Sequence, residues 1–346
     1  MAKNKRLFAE DRSCFIIAEI SANHGQDLKK ATRMIREAKK CGADAVKFQT
    51  YTPDTLTIDS DNRCFRVKHP EWGGQTLYDL YKKAYTPWGW FEKLKKAADK
   101  EGIIFFSTAF DRTAVDLLEE IDVPFHKIAS FELVDLPLIE YAAKTKKPLI
   151  LSTGMATLSE IKEAFAAARK GGVKEITLLK CVSSYPAKAE DMNLATISDM
   201  KDVFKTTIGI SDHTLGTVVS TAAVAMGAKV VEKHFTLSRK EKTPDSFFSM
   251  EPGEFKNMVD DIRTVEKAIG GTSYGLTGEQ KKSRIFRRSL FAVKDIRKGE
   301  TLTLDNVRSI RPANGLEPKY LKKIVNKKAK VNIKRGTPLE WDQIGG

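Results

Sequence analysis

Short apolar runs alternate with amphipathic stretches along most of this chain. The run FIIAEI at residues 15–20 is followed by 27–41, where Leu28, Ala31, Met34, Ile35 and Ala38 recur at helical spacing and stop before Gly42. The pattern then repeats. Strand-like runs begin near residues 15, 45, 103, 125, 148, 175, 207 and 230. Helical stretches occupy 27–41, 88–100, 112–121, 136–145, 159–170, 193–204, 215–228 and 251–269. Pro87 suits the first turn of the second of these, and Thr157 with Glu160 makes a capping-box pattern ahead of 159–170. The alternation breaks only in a long insertion, 51–86, rich in aromatic and polar residues. Most of its aromatics are expected to pack the loop down. Tyr51, nearest the strand end, is the best placed to touch a ligand.

Eight strands in strict alternation with helices predict an α/β fold, a (β/α)8 barrel over residues 1–270. A doubly wound open sheet is disfavoured, because no GxGxxG turn follows any strand. Residues 271–287 read as a linker. Short strand-like runs broken by turns over 288–346 predict a small β-rich domain, too small for much independence.

A barrel places its chemistry where strands end and loops begin. Polar residues stand there on all eight strands: Glu19 and Asn23; Lys47 and Gln49; Thr108; Lys127 and Ser130; Ser152 and Thr153; Lys180, Ser183 and Tyr185; Asp212 and His213; Lys233 and His234. Each alone has a bland structural reading; a complete ring implies a polar pocket. Lysines with short hydroxyls suit a phosphate and a carboxylate, and Glu19 is a candidate to accept a proton or orient water. The set fits a reaction between a phosphorylated acid and an aldehyde. Schiff-base aldolase chemistry on Lys47, Lys127 or Lys180 is the rival.

His213 and His234 end the seventh and eighth strands, in a chain with five histidines. A strand–helix–strand unit brings both imidazoles to one end of neighbouring strands. Two readings stay open on spacing alone: a divalent-metal pair that polarises a carbonyl, or two structural histidines at the rim.

Charge changes the picture at the far end. The chain carries a net +14, yet residues 281–346 hold 18 Lys and Arg against six Asp and Glu. That favours an anionic small molecule or a solvated basic face; no nucleic-acid-binding signature is present. No apolar run approaches the roughly 20 residues of a membrane helix, and the polar N-terminus lacks a signal core. The four cysteines have no metal-ligand spacing and read as buried thiols of a cytoplasmic protein.

FIIAEISANHG, AVKFQTY, KIASFE, LSTGM, IGISDHT and VVEKHF, in that order, resemble the sialic acid synthase family. SLFAVKDIRKGETLTLDNVRSIRPANGL resembles the antifreeze-like SAF domain that closes these enzymes. The resemblance covers residues 13–346. YTPDTLT, TLYDLYKKAYTPWGW, ASFELVDLPLI and PDSFFSMEPGEF are similar to the pseudaminic acid branch. The N-acetylneuraminate branch has a glycine-containing version of KIASFE and a GPDH-like version of TPDS.

The resemblance implies a transferase that condenses phosphoenolpyruvate with an open-chain acetamido sugar, here 2,4-diacetamido-2,4,6-trideoxy-L-altrose, to a 2-keto sugar acid and phosphate. An N-acetylneuraminate- or legionaminate-forming relative is the alternative. It implies Mn²⁺ or Mg²⁺ at His213 and His234, imidazole favouring Mn²⁺. Lys47, Thr108, Lys127, Ser130, Ser152 and Ser211 correspond to the phosphoenolpyruvate site, with Ser183 where the family often has Asn or Thr. Gln49, Tyr51, Tyr185, Asp245 and Phe286 correspond to acceptor contacts, and Asn23 joins them beside Glu19. Arg311 resembles the arginine that reaches the partner's barrel in a domain-swapped homodimer.

Overall fold

The computed structural model describes residue 8 and residues 12–345. The polar N-terminal stretch read above lies, except for Phe8 and Arg12, outside the described residues. Eight parallel strands close a barrel in chain order: β1 (Phe15–Glu19), β2 (Ala45–Thr50), β3 (Ile104–Ala109), β4 (His126–Ile128), β5 (Leu149–Ser152), β6 (Ile176–Cys181), β7 (Thr207–Asp212) and β8 (Val230–His234). Closure comes from β1 against β8, in register from Phe15↔Val230 to Glu19↔His234. β1 and β8 are buried along their whole length. One face of each strand fills the interior and the other lies under helices, so the strands read as continuous apolar runs.

The helices follow from their stripes. Leu28–Lys40 buries Ala31, Met34, Ile35 and Ala38. The Asp27 side chain caps it by accepting the Lys29 and Lys30 N–H groups. Burying a side chain such as Met34 or Ile35 contributes about 1.5–3 kcal/mol. Thr157 and Glu160 form a reciprocal capping box at the start of Leu158–Gly171. The stretch expected to be helical over 215–228 is helix only over Val218–Ala225.

The insertion after β2 is not loop throughout. It carries a short helix, Pro53–Leu56, and a longer one, Leu77–Ala84, capped by a Thr76–Asp79 box. Gln26 Nε2 donates to the Lys82 carbonyl, and Trp88 Nε1 donates to that of Tyr51. His24, fully buried, pairs through Nε2 with Thr86 Oγ1 at 3.0 Å and accepts the Gln26 N–H at Nδ1. The insertion is thereby docked against the ends of β1 and β2.

A second compact unit begins at Gly271. The stretch 271–287, expected as a linker, groups with this unit and contains the helix Gly278–Ser283. Strands β9 (Ser289–Ala292) and β10 (Val307–Ile310) pair antiparallel. They enclose a core of Leu290, Ile296, Leu302, Val307, Ile333 and Leu339.

Candidate active site

The inward side chains at the C-terminal ends of the strands form a buried charged layer. Lys47 Nζ lies 2.9 Å from Glu19 Oε2 and 3.4 Å from Glu232 Oε1, and donates to Thr108 Oγ1 at 3.0 Å. Lys127 Nζ donates to Ser152 Oγ at 2.7 Å and to the Ile128 carbonyl. Ser211 donates to Glu232 Oε1 at 3.0 Å, which leaves Glu232 Oε2 without a partner. All seven side chains are buried.

Two carboxylates share these cations unequally. Burial pushes Glu232 up, but Lys127 and Lys47 outweigh it, so its carboxyl is held below the ordinary range. Glu19 has only Lys47 close by, and burial pushes it up to about 7. Gln49 Nε2 donates to Glu19 Oε1 at 3.0 Å, orienting it. Burial lowers the Lys47 ammonium, yet Glu19 and Glu232 more than reverse this, and it stays protonated.

His213 and His234 stand beside this layer, their ring centroids 5.4 Å apart. That separation lies within the reach of one cation held about 2 Å from a nitrogen of each ring. His213 donates Nδ1–H to the Val182 carbonyl at 2.8 Å, which leaves Nε2 as the ring's lone pair. Burial holds His234 well below the ordinary histidine range, and its buried Nδ1 has no partner. For His213, burial lowers the pKa, but Cys181 and the Val182 carbonyl raise it to a net increase. The donor set fits a divalent ion. Among the described residues no third His, Cys, Asp or Glu completes a cluster, so water or substrate oxygens must supply the remaining positions.

A cavity of ≈ 560 Å³ opens beside His234 and Gln49. Gln49, Ser130, Ser183, Tyr185, His234 and Asp245 form its polar wall. Ser130 and Ser183 hydroxyls meet at 2.8 Å across Gly154. A Cβ on Gly154 would stand 2.3 Å from Ser130 Cβ, and its φ of +46° is the left-handed region that glycine tolerates. Tyr185 packs on His213 at 4.4 Å, and Phe248 on His234 at 4.7 Å. From the insertion, Trp72 stacks on His69 at 4.3 Å and donates Nε1–H to the Pro244 carbonyl at 2.6 Å. Both rings line the cavity.

The structure thus brings together Glu19, Lys47, Gln49, Thr108, Lys127, Ser130, Ser152, Ser183, Tyr185, Ser211, His213, His234 and Asp245 at one end of the barrel. Tyr51 lines the cavity too, and is almost wholly buried. Asn23 does not reach the cavity wall. Its amide donates to the Phe235 carbonyl and Ser249 Oγ and accepts from Thr243, so it holds the β1 and β8 loops together. Asp212 and Lys233 pair at 2.8 Å on the opposite face of their strands from the inward layer. Ser220 of the covering helix donates to Asp212. Phe286 and Arg311 belong to the second unit, where both are exposed.

Three groups escaped sequence reasoning. Glu232 had a signal: a carboxylate two positions before His234 in the strand VVEKH shares its face. Ser21, with φ +46°, accepts from Gln49 Nε2 and donates to Asp245 Oδ2; nothing local marks it. Glu132, on the cavity wall, is raised to about 7 by burial, with Oε2 unpartnered.

Comparison with known proteins agrees with this architecture. The NeuB family model matches residues 34–274, and the SAF domain model matches 287–345. The pseudaminic acid synthase of Helicobacter pylori is 45% identical over 330 residues, spanning 95% of this chain and 97% of that protein. One from Campylobacter jejuni is 44% identical over 333 residues, spanning 96% and 97%. A crystal structure of N-acetylneuraminic acid synthetase from Leptospira borgpetersenii, in complex with citrate, superposes with a TM-score of 0.71 at 35% identity. It covers 79% of this chain and 90% of that one. The chain belongs to the NeuB family.

Proposed function

We propose that this enzyme condenses phosphoenolpyruvate with the open-chain aldehyde of 2,4-diacetamido-2,4,6-trideoxy-L-altrose, releasing phosphate and a nine-carbon 2-keto sugar acid. The observation that carries the reading is the buried Lys47–Lys127 layer beside the His213–His234 pair, whose His234 lines a cavity sized for a sugar. The relatives named above support the choice of acceptor.

In this reading Lys47 and Lys127, with Thr108, Ser130, Ser152, Ser183 and Ser211, hold the phosphate and carboxylate of phosphoenolpyruvate. His213 and His234 hold the divalent ion, Mn²⁺ on ligand preference. When bound, that ion polarises the aldehyde carbonyl. Gln49, Tyr51, Tyr185 and Asp245 orient the acceptor so that its aldehyde carbon meets C3 of phosphoenolpyruvate. A C–C bond forms, the aldehyde oxygen takes up a proton, and C2 becomes electron-poor. Glu19 orients a water and accepts its proton as the oxygen adds to C2. The C2–O bond to phosphate then breaks as the C2 hydroxyl gives its proton to the departing phosphate, and the ketone forms. Closure of the site by Phe286 and Arg311 of a partner subunit, in a domain-swapped homodimer, belongs to the same proposal. So does a cytoplasmic location; among the described residues no helix is long and apolar enough to cross a membrane.

Phosphate release tests this over a panel of acceptors: the diacetamido-trideoxy-altrose, its mannose isomer and N-acetylmannosamine, each with and without divalent ion. Preference for the first is expected. Equal or better turnover of N-acetylmannosamine would overturn the acceptor assignment.

A further inference from the structure

The insertion helix Leu77–Ala84 has an unusual apolar face. Leu77, Leu80, Tyr81 and Ala84 fall at i, i+3, i+4 and i+7, a single stripe. An amphipathic helix in a domain of this size normally buries such a stripe in the core. Here none of the four is buried and none is fully exposed. Its polar face, with Asp79, Lys82 and Lys83, is exposed. The stripe instead faces the cavity, where Leu56, Val67 and Phe110 join it. The cavity is therefore two-sided in its chemistry. Carboxylate, hydroxyl and imidazole groups come from the strand ends, and hydrocarbon comes from the insertion.

We infer that the Leu77–Ala84 helix is the specificity element for the acceptor, with Leu77 and Leu80 receiving the methyl groups of a deoxy, acetamido-substituted sugar end. The inference rests on the proposed reaction and adds which end of the acceptor is read, and by what. A sugar whose aldehyde lies near His234 extends its far carbons away from the strand ends. A C6 methyl and an N-acetyl methyl against leucine side chains leave water favourably. A sugar with hydroxyls at the same carbons buries them against hydrocarbon without partners, which is unfavourable. A hydrophobic wall discriminates such differences by about 10- to 100-fold, not more.

The test compares kcat/KM for the 2,4-diacetamido-2,4,6-trideoxy acceptor with that for its 6-hydroxy counterpart, in wild type, Leu80→Ser, Leu77→Ser and the volume-conserving Leu80→Met. Wild type is expected to favour the deoxy acceptor. Each serine variant should shrink that preference about tenfold with the phosphoenolpyruvate KM unchanged, and Leu80→Met should keep it. A serine variant that slows both acceptors by one factor, or an unchanged preference, overturns the inference. A serine variant whose phosphoenolpyruvate KM also moves has lost structure, and a preference lost in Leu80→Met as well overturns the inference too. Failure of wild type to use either diacetamido sugar is a separate result, and it sinks the proposed reaction instead.

Discussion

The Glu232 carboxylate lies 3.4 Å from the Lys47 ammonium and shares it with Glu19. With Lys127 also acting on Glu232, two buried cations face two carboxylates, only one of which is held firmly ionised. Glu232→Gln leaves the cations under-compensated. It should destabilise the barrel by about 3 kcal/mol at neutral pH, the usual result of removing one partner from a buried ionic group. If Lys47 and Lys127 hold phosphoenolpyruvate as proposed, it supplies the missing negative charge and should raise the urea midpoint more in the variant than in wild type. An equal rise in both would show that Glu232 does not balance the substrate-binding cations.

Burial raises Glu19 to about 7, and in the proposed mechanism it acts when ionised. The kcat/KM profile should therefore rise with pH through about 7 on its acid side. Glu19→Gln removes that limb and should slow turnover by about 10²- to 10⁴-fold. A variant that keeps the acid limb assigns it to another group.

Replacing His213 or His234 with alanine should abolish Mn²⁺ binding by the free protein, read by calorimetry without substrate. Phosphate release should fall by at least about 10³-fold, several kcal/mol of lost carbonyl activation. Undiminished phosphate release by a metal-stripped His213→Ala protein would end the metal role.

His24 links acidity to stability away from the chemistry. Burial lowers it from the ordinary 6.5 to about 4. The unfolded chain binds the extra proton first, so this stability is complete above about pH 6.5 and is lost as pH falls toward 4. The span corresponds to about 3 kcal/mol. His24→Asn should have a lower neutral-pH melting temperature and a shallower decline over this window. Parallel melting curves against pH for the two proteins would contradict it.

Gly154→Ala forces a side chain between Ser130 and Ser183 in a left-handed backbone. Strain of about 1–2 kcal/mol and a spread serine pair should raise the phosphoenolpyruvate KM about tenfold. The acceptor KM should move little, so kinetics with each substrate varied in turn separates the outcomes.

The barrel was legible because period and count are local properties. Apolar runs near residues 15, 45, 103 and 230 became β1, β2, β3 and β8 within a residue or so. The site was legible where polar residues interrupt those runs, as at Lys47, Lys127 and His234. Hydrogen bonding between distant loops was not legible. Asn23 looked like a contact residue because it follows Glu19 closely, yet its amide is used by Phe235, Ser249 and Thr243, more than 200 positions away. The Leu77–Ala84 helix was hidden among aromatics that blurred its stripe. Asp212 and Lys233 were grouped with the pocket because they adjoin His213 and His234, but the two-residue alternation of a strand puts them on its opposite face, where they pair across β7 and β8.

The Asp212–Lys233 pair binds β7 to β8 one residue before each histidine of the proposed metal pair, on the far side of the strands. Lys233 also donates to the Thr214 carbonyl, and Ser220 fixes Asp212 from the helix above. The spacing between the imidazoles is thus braced from behind by a clamp that never meets substrate. A weakened clamp would let the two strand ends part, so on the proposed reading changes in the outer shell of helices would retune cation affinity while both histidines stay in place.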